Sequence, residues 1–137
     1  MIVRVVISSE ENRQILGVED GHIYSLELDD YVAAVVASEV GNAHIEACKA
    51  QAIAARTFVW PLAVSDKPIS DLSTKAQSFR IARLKNDSYP NAASAAKDTS
   101  GMVLCYNDKP IDSCPYSASN GGNVVSSKER WGGERAW

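Results

Sequence analysis

The chain has 137 residues, of which 45% are hydrophobic and 23% charged, a composition typical of one globular domain. A formal net charge of -3 argues against a general nucleic-acid-binding protein. No apolar run approaches the roughly 20 residues of a membrane span, and the N-terminal apolar stretch is too short for a signal peptide. Three cysteines without a CxxC spacing favour neither a disulfide framework nor a zinc finger.

The first part of the chain predicts β-structure. Residues 3–7 are rich in β-branched side chains and are typical of a strand. Residues 8–14 are polar and turn-like, and residues 15–18 and 23–28 resemble two further strands. The sequence therefore predicts an N-terminal β-meander.

Apolar residues then recur at helical spacing, which predicts a short, deeply buried helix over residues 30–39. Gly41 follows it as a helix breaker. A second, alanine-rich helix is predicted over residues 43–59 or beyond. Pro61 should end or kink that helix, because proline lacks the N–H donor and clashes with the preceding turn.

A loop is predicted over residues 65–73, followed by a basic run without acidic residues: Lys75, Arg80, Arg83 and Lys85. Pro90 suits the first turn of a third helix over residues 91–98. A hairpin with arms at residues 102–106 and 111–116 completes the prediction. Its expected register places Cys105 opposite Asp112, with Cys114 two positions away, so no disulfide is predicted.

These elements predict a single α+β domain over residues 1–137. It has the N-terminal β-meander, two or three helices around the buried helix that carries Glu39, and the C-terminal hairpin. Glu39 ends an apolar helix, where a carboxylate needs either a partner or a function. An apolar pocket favours the protonated form of a carboxyl group, which a general acid requires. The alternative is a solvated residue at a helix end.

Two basic residues and a hydroxyl-rich segment are further candidates. Lys49 and Arg56 lie seven residues apart on one helix face, where they can bind an anion, pair with Glu39 or form a solvated stripe. The segment YSASNGG at residues 116–122 contains side chains that hydrogen-bond sugars, although such residues also form ordinary turns.

Other chemistries have little support in the sequence. Ser119 lacks a GxSxG context and a suitable histidine, so a serine hydrolase is not predicted. His44 and Cys48 lie four residues apart without a third metal ligand, which favours packing of Cys48 in the core.

Three stretches of the sequence occur together in one protein family. They are LDDYVAAVVASEV at residues 28–40, EACKAQAIAARTF at residues 46–58, and the run from Gly101 through YSASNGG to WGG at residues 131–133. In this order and spacing they resemble the stage II sporulation protein D family, also called amidase enhancers. The resemblance covers nearly the whole chain.

The resemblance implies a function in the bacterial cell wall, because sporulation members of the family are lytic transglycosylases. They act on glycan strands from which the stem peptides have been removed. By position, the family's essential acid falls on Glu39. The residues expected to bind substrate are Lys49, Arg56, Tyr116, Ser117, Ser119 and Asn120. Peptidoglycan strands and a cell-wall amidase are the expected partners, nucleic acid is not, and the expected location is extracytoplasmic, although the sequence as given contains no signal peptide.

The implied reaction needs a single acid. Glu39 would protonate the glycosidic oxygen and then accept the proton of the muramic acid 6-hydroxyl as a 1,6-anhydro ring closes. Arg56 or Lys49 would hold the lactyl carboxylate, and the basic run would follow the anionic strand. No cofactor is expected. The alternative is a non-catalytic glycan-binding module that stimulates a cell-wall amidase.

Three departures from the family pattern accompany the resemblance. Val40-Gly41 follows the acid where the family usually has Met-Pro. Residues 71–80 lack the Cys and His cluster with which some members bind zinc, so no metal is expected. The chain stops soon after its WGG element, where members continue, so the domain is expected to be truncated at the C-terminus.

Overall fold

In the computed structural model, which describes residues 1–112, the first strand is the middle strand of a three-stranded sheet. Strand β1 (Ile2–Ile7) pairs antiparallel with β2 (His22–Glu27) along its whole length. On its other edge, β1 pairs parallel with the two-residue strand β3 (Ile69–Ser70). Alternate β1 side chains are buried, as expected for a sheet with one face in the core: Val3, Val5 and Ile7.

Helix α1 (Glu10–Leu16) lies between β1 and β2, so the predicted β-meander is wrong. Ser9 caps the helix, since its hydroxyl oxygen accepts the N–H of Asn12 at 3.2 Å. Two glutamates in the first turn interact favourably with the positive N-terminal end of the helix dipole. Gly17 ends the helix in the left-handed conformation, with φ +66°. The segment predicted as a turn and a second strand is therefore a capped helix.

The buried side chain of Asn12 fastens α1 to the rest of the domain. Its Nδ2 donates to Asp71 Oδ2 at 2.9 Å and to the carbonyl of Phe79 at 2.7 Å. Its Oδ1 accepts the N–H of Ile81 at 2.8 Å. The Asp71 carboxylate also accepts the backbone N–H groups of the two residues that precede α1. This network fixes residues 79–81 against α1.

Three longer helices are present, as the sequence predicted; α2 and α3 pack against the sheet, and α4 packs against α2 and α3. Helix α2 (Leu28–Val40) begins directly after β2 and buries seven of its side chains. Helix α3 (Ile45–Val64) follows a four-residue connection, residues 41–44. Helix α4 (Pro90–Asp98) starts with the expected proline. A one-turn 3₁₀ helix (Ile81–Arg83) lies between α3 and α4 in the chain.

Side-chain contacts at both ends of α4 show its direction relative to α2 and α3. Asn91 at the start of α4 donates its N–H to Asn42 Oδ1, beside the connection between α2 and α3. Near the end of α4, the carbonyl of Ala96 accepts Arg56 of α3, which also reaches Asp29 at the start of α2. Helix α4 is therefore parallel to α3 and antiparallel to α2.

Two details of the C-terminal half differ from the prediction. Helix α3 continues through Pro61 to Val64, because the proline lies in the last turn and removes only one backbone hydrogen bond. In the hairpin of β4 (Cys105–Tyr106) and β5 (Lys109–Pro110), Cys105 pairs with Pro110 and not with Asp112.

The two-residue turn of this hairpin explains the difference in register. Asn107 and Asp108 both have positive φ values, +50° and +64°, as a type I′ turn requires. The turn centre therefore lies one residue earlier than predicted. The rest of the predicted second arm, with Cys114, lies outside the described residues.

The predicted α+β class is confirmed, with one core between the sheet and the helices. Among the helices within residues 1–112, none is long and apolar enough to cross a membrane.

The Asn12 network predicts a large loss of stability on truncation. Asn12→Ala leaves the carbonyl of Phe79 and the N–H of Ile81 without partners, so we expect the free energy of unfolding to fall by about 2–4 kcal/mol. Gln14→Ala, on the exposed side of the same helix, should change it by less than about 0.5 kcal/mol. Urea denaturation of both variants measures this, and equal losses would contradict the role assigned to Asn12.

Candidate functional site

Glu39 lies in the last turn of α2, at the C-terminal end of a buried helix, as predicted. Its side chain is exposed, and Oε1 accepts the backbone N–H of Ser78 at 2.9 Å. The helix ends directly afterwards at Gly41, whose φ of +63° is in the region that favours glycine. Glu39 is thus a surface carboxylate held by one backbone donor.

Residues 1–112 do not form the apolar pocket considered for Glu39. Val35 and Val36, which precede it in the helix, are fully buried and face the core. Successive helical residues are about 100° apart, so a residue near the helix end can leave the buried face within one or two positions. The carboxylate consequently meets solvent and the chain at Ser78.

Residues 77–81 cross the C-terminal half of α2 and hold this arrangement. Gln77 is buried, and its Nε2 donates to Tyr31 Oη at 3.1 Å and to the carbonyl of Ala55 at 3.3 Å. Arg80 donates its N–H to Ser38 Oγ at 3.2 Å. Ser78, between these anchors, is therefore placed to donate to Glu39.

The aromatic ring beneath this segment is buried and neutral. Tyr31 stacks on Phe79 with ring centroids 5.3 Å apart. Burial raises the pKa of the Tyr31 phenol, the hydrogen bond from Gln77 opposes this, and the negative charge of Glu39 raises the pKa further. Tyr31 therefore keeps its proton and serves as a fixed hydrogen-bonding group.

Lys49 is partly exposed and does not pair with Glu39. Its Nζ lies 3.4 Å from Glu46 Oε1, three residues earlier on the same helix. Such exposed pairs contribute little to stability, so the ammonium group is available to an anion.

Arg56 has no exposed surface, which contradicts its predicted contact with substrate. Its Nη1 donates to Thr99 Oγ1 at 3.2 Å and to the carbonyl of Met102 at 3.1 Å. Its Nη2 donates to Asp29 Oδ1 at 3.3 Å and to the carbonyl of Ala96 at 2.9 Å. Asp29 and Glu39 are ten residues apart on α2, about 15 Å along its axis. Arg56 therefore ties three helices together at the end of α2 away from Glu39.

The charge of Arg56 is compensated inside the protein. Burial lowers the pKa of its guanidinium, and the carboxylate of Asp29 opposes this shift. Because the ordinary pKa of arginine is above about 12, the group remains charged. The seven-residue spacing did not reveal this structural role of Arg56. Lys49 and Arg56 lie on the same face of α3, but the described part of the protein covers only the end of that face with Arg56.

The other predicted substrate-binding residues, Tyr116, Ser117, Ser119 and Asn120, lie outside the described residues. That they bind substrate stays a prediction. The sequence interpretation did not identify the backbone N–H of Ser78, because a backbone donor has no side-chain signature.

The one possible pair of metal ligands has other roles. His44 caps α3, with Nδ1 accepting the N–H of Glu46 at 3.1 Å. Cys48 is buried, its thiol donates to the carbonyl of Ala43 at 3.4 Å, and burial raises the pKa of that thiol. Within residues 1–112 no group of three or more His, Cys, Asp and Glu side chains is placed to hold a metal ion.

Known proteins similar to this chain are sporulation proteins. A family model described as "Stage II sporulation protein" matches residues 19–106. "Stage II sporulation protein D" of Bacillus subtilis (strain 168) is 36% identical over 115 residues, covering 72% of this chain and 34% of that protein. The protein of the same name from Bacillus amyloliquefaciens is 32% identical over 115 residues, covering 72% and 33%. The chain thus spans about a third of the length of these curated relatives.

A matched pair of substitutions in α3 separates the two basic residues. Arg56→Met leaves two carbonyl groups without a donor and removes the ion pair with Asp29, which keeps the hydroxyl of Ser100, so we expect the free energy of unfolding to fall by about 2–4 kcal/mol. Lys49→Met removes one exposed i,i+3 pair and should change it by less than about 0.5 kcal/mol. Denaturant titration of both variants tests this, and a mild effect of Arg56→Met would restore a surface role for that residue.

The ion pair between Glu11 and Arg80 should make stability depend on pH. Hydrogen bonds from Arg80, at 3.0 and 2.9 Å, lower the pKa of the Glu11 carboxyl. A lowered folded-state pKa contributes stability above the ordinary carboxyl pKa, and this contribution is lost as the pH falls through the folded value. Glu11→Gln should therefore be less stable than the parent at pH 7, by about 0.5–1 kcal/mol for a half-exposed pair, and equal to it in acid.

Glu10→Gln is the matched control, because it removes the same charge from the same helical turn but leaves the ion pair intact. Urea denaturation at pH 7 and at pH 3 measures both variants. A Glu11→Gln difference that persists unchanged in acid would show that the ion pair is not its source.

Proposed function

This chain belongs to the stage II sporulation protein D family, and on that premise we propose that it is a peptidoglycan lytic transglycosylase. The proposed substrate is a glycan strand without stem peptides, cut at the β-1,4 bond between N-acetylmuramic acid and N-acetylglucosamine. The proposed product ends in 1,6-anhydro-N-acetylmuramic acid. The observation that carries the proposal is Glu39, an exposed carboxylate at the rigid end of a buried helix, oriented by one backbone N–H.

The geometry of Glu39 suits a group that gives and recovers one proton. Oε1 is occupied by the N–H of Ser78, whereas Oε2 has no hydrogen-bond partner among residues 1–112. In the proposed reaction, protonated Oε2 donates to the glycosidic oxygen as its bond to the anomeric carbon breaks. The 6-hydroxyl oxygen of the muramic acid then bonds to the anomeric carbon, and its proton returns to Glu39.

This reaction needs no second carboxylate. Hydrolytic glycosidases use two, one of which activates water or forms a covalent intermediate. Here the nucleophile belongs to the sugar itself, so a single acid-base group completes the cycle. The substitution of an internal nucleophile for water also saves the cost of bringing a second reactant to the site.

The proposed substrate-binding groups change in one respect. Lys49 can bind the lactyl carboxylate of muramic acid through a charge-assisted hydrogen bond. Tyr116, Ser117, Ser119 and Asn120 remain proposed ligands for sugar hydroxyl and acetamido groups. Arg56 is withdrawn from this set, because its guanidinium is enclosed by its own helices. The proposed place of action is the cell wall, outside the cytoplasm.

A non-catalytic glycan-binding module that stimulates a cell-wall amidase is the second candidate. One observation favours it: Glu39 is exposed, and no described side chain forms a hydrogen bond or ion pair with it. Anhydro ends are made only by catalysis, so product mass distinguishes the two functions.

Glu39→Gln should lower the release of anhydro ends from peptide-free glycan by roughly 10²- to 10⁴-fold, because the amide accepts the Ser78 N–H but cannot transfer a proton. Glycan binding should persist, and the fold should be retained. Mass spectrometry of the digest and a pull-down with insoluble glycan measure the two quantities.

Glu19→Gln serves as the control, since it neutralises another exposed carboxylate without touching α2. Anhydro ends at the parent rate from the Glu39→Gln variant would exclude Glu39 as the acid. Glycan binding by the parent without any anhydro product would replace the enzyme with the binding module.

A further inference from the structure

A second concave site lies on the side of α2 that faces away from Glu39. It is a groove of about 270 Å³ between α2, the start of α4 and the chain at residues 83–89. Its lining includes alanines from both helices, together with larger apolar side chains: Ala33, Ala37, Ala92, Ala93, Leu84, Tyr89 and Pro90. Glu39 is two residues beyond Ala37, which places it about 200° around the helix. The groove is therefore separate from the Glu39 site.

One cation at the rim of the groove, Arg83, has a hydrogen-bond donor that is not used within residues 1–112. The guanidinium carbon of Arg83 lies 4.4 Å from the centroid of the Tyr89 ring, a cation–π contact. Its Nε is buried and has no hydrogen-bond partner in the described part of the chain. A buried polar group without a partner is costly, so an acceptor that displaced the covering atoms and reached Nε would relieve that cost.

A second cation at the rim is only loosely engaged. Lys85 Nζ is 3.9 Å from Asp30 Oδ2, and the lysine side chain is 75% exposed. The backbone of Lys85 has a φ of +51°, which is uncommon for residues other than glycine and occurs preferentially at functional sites. Asn86 and Asp87 add an amide and a carboxylate to the same rim.

We propose that this groove binds one N-acetylated sugar acid residue of a peptide-free glycan strand. This inference rests on the proposed function and adds a second subsite to it. A volume just below the range of drug-sized pockets fits a single ring. The small alanine side chains in the lining let the C–H face of a pyranose approach both helices closely. Arg83 and Lys85 would bind the carboxylate, while Asp30 and Asn86 have the hydrogen-bonding groups that hydroxyl and acetamido groups require.

The chain over residues 78–83 connects the two sites. Ser78 contacts Glu39, Arg80 contacts Ser38, and Arg83 reaches the groove. The segment thus crosses α2 from one site to the other. A glycan strand laid along it would meet Glu39 with one sugar and the groove with another.

The test is an NMR titration of the full chain carrying Glu39→Gln, so that turnover does not alter the ligand. The probes are a peptide-free oligosaccharide of alternating N-acetylglucosamine and N-acetylmuramic acid, and a chitin oligosaccharide of equal length without carboxylates. We expect the amide signals of Ala33, Ala37 and Ala93 to shift with the first probe, which should bind roughly tenfold more tightly than the second.

Two matched pairs of variants are added to this background. Ala93→Trp fills the groove, whereas Ser94→Trp places the same side chain on the neighbouring exposed position. Lys85→Glu reverses the charge at the rim, whereas Lys67→Glu does so elsewhere on the surface. We expect roughly tenfold weaker binding of the muramic acid probe by Ala93→Trp and Lys85→Glu, and unchanged binding by the other two.

Three results would overturn the proposal that the groove binds a sugar. They are signal changes confined to the surroundings of Glu39 and Ser78, equal affinities within each matched pair, and absence of binding. Equal affinity for both probes would overturn the role of the carboxylate. If the proposed function is wrong, the parent protein will release no anhydro ends. The binding experiments can still be interpreted in that case, because they do not depend on turnover.

Discussion

A buried positive charge holds the helices of this domain in position. The guanidinium of Arg56 lies where α3 meets the start of α2 and the end of α4, and its donors reach a carboxylate, a hydroxyl and two carbonyl groups. An uncompensated charge in the interior costs several kcal/mol, so a shift of either neighbouring helix that breaks these bonds is strongly opposed. The position of Glu39 is therefore determined partly from the other end of α2.

Much of the fold could be predicted because its longer helices carry their own signals. The apolar spacing of α2, the alanines of α3 and the proline that begins α4 each depend on local sequence. Helix α1 was missed although Ser9 and the two following glutamates are helix-start signals, because Ile15 and Val18 on either side of Gly17 resemble a strand. The hairpin register was missed by one residue, since only the positive φ values of Asn107 and Asp108 reveal its centre.

The candidate site was less predictable, because it depends on contacts between distant parts of the chain. The place of Glu39 at a helix end follows from α2 alone, but its exposure depends on what covers that end. The burial of Arg56 is decided by α4, about 40 residues later, and no pattern within α3 contains that information. Ser78 acts through its backbone, and its position depends on Asn12 and Gln77, which fix the chain on either side of it.

The middle position of β1 sets an order of assembly during synthesis. Its partner β2 is complete by Glu27, so the two strands can associate while most of the chain is still unmade. The other edge of β1 can pair only after Ile69 has been synthesised. The N–H of Ser8 can bond only after Asp71 has been added, 63 residues further along the chain. Closing so long a loop is slow compared with local pairing. A nascent chain that ends before residue 69 would leave one edge of β1 open, and one that ends before residue 81 would leave Asn12 incompletely paired. The chain that orients Glu39 is therefore fixed only after α2 and α3 have both been synthesised.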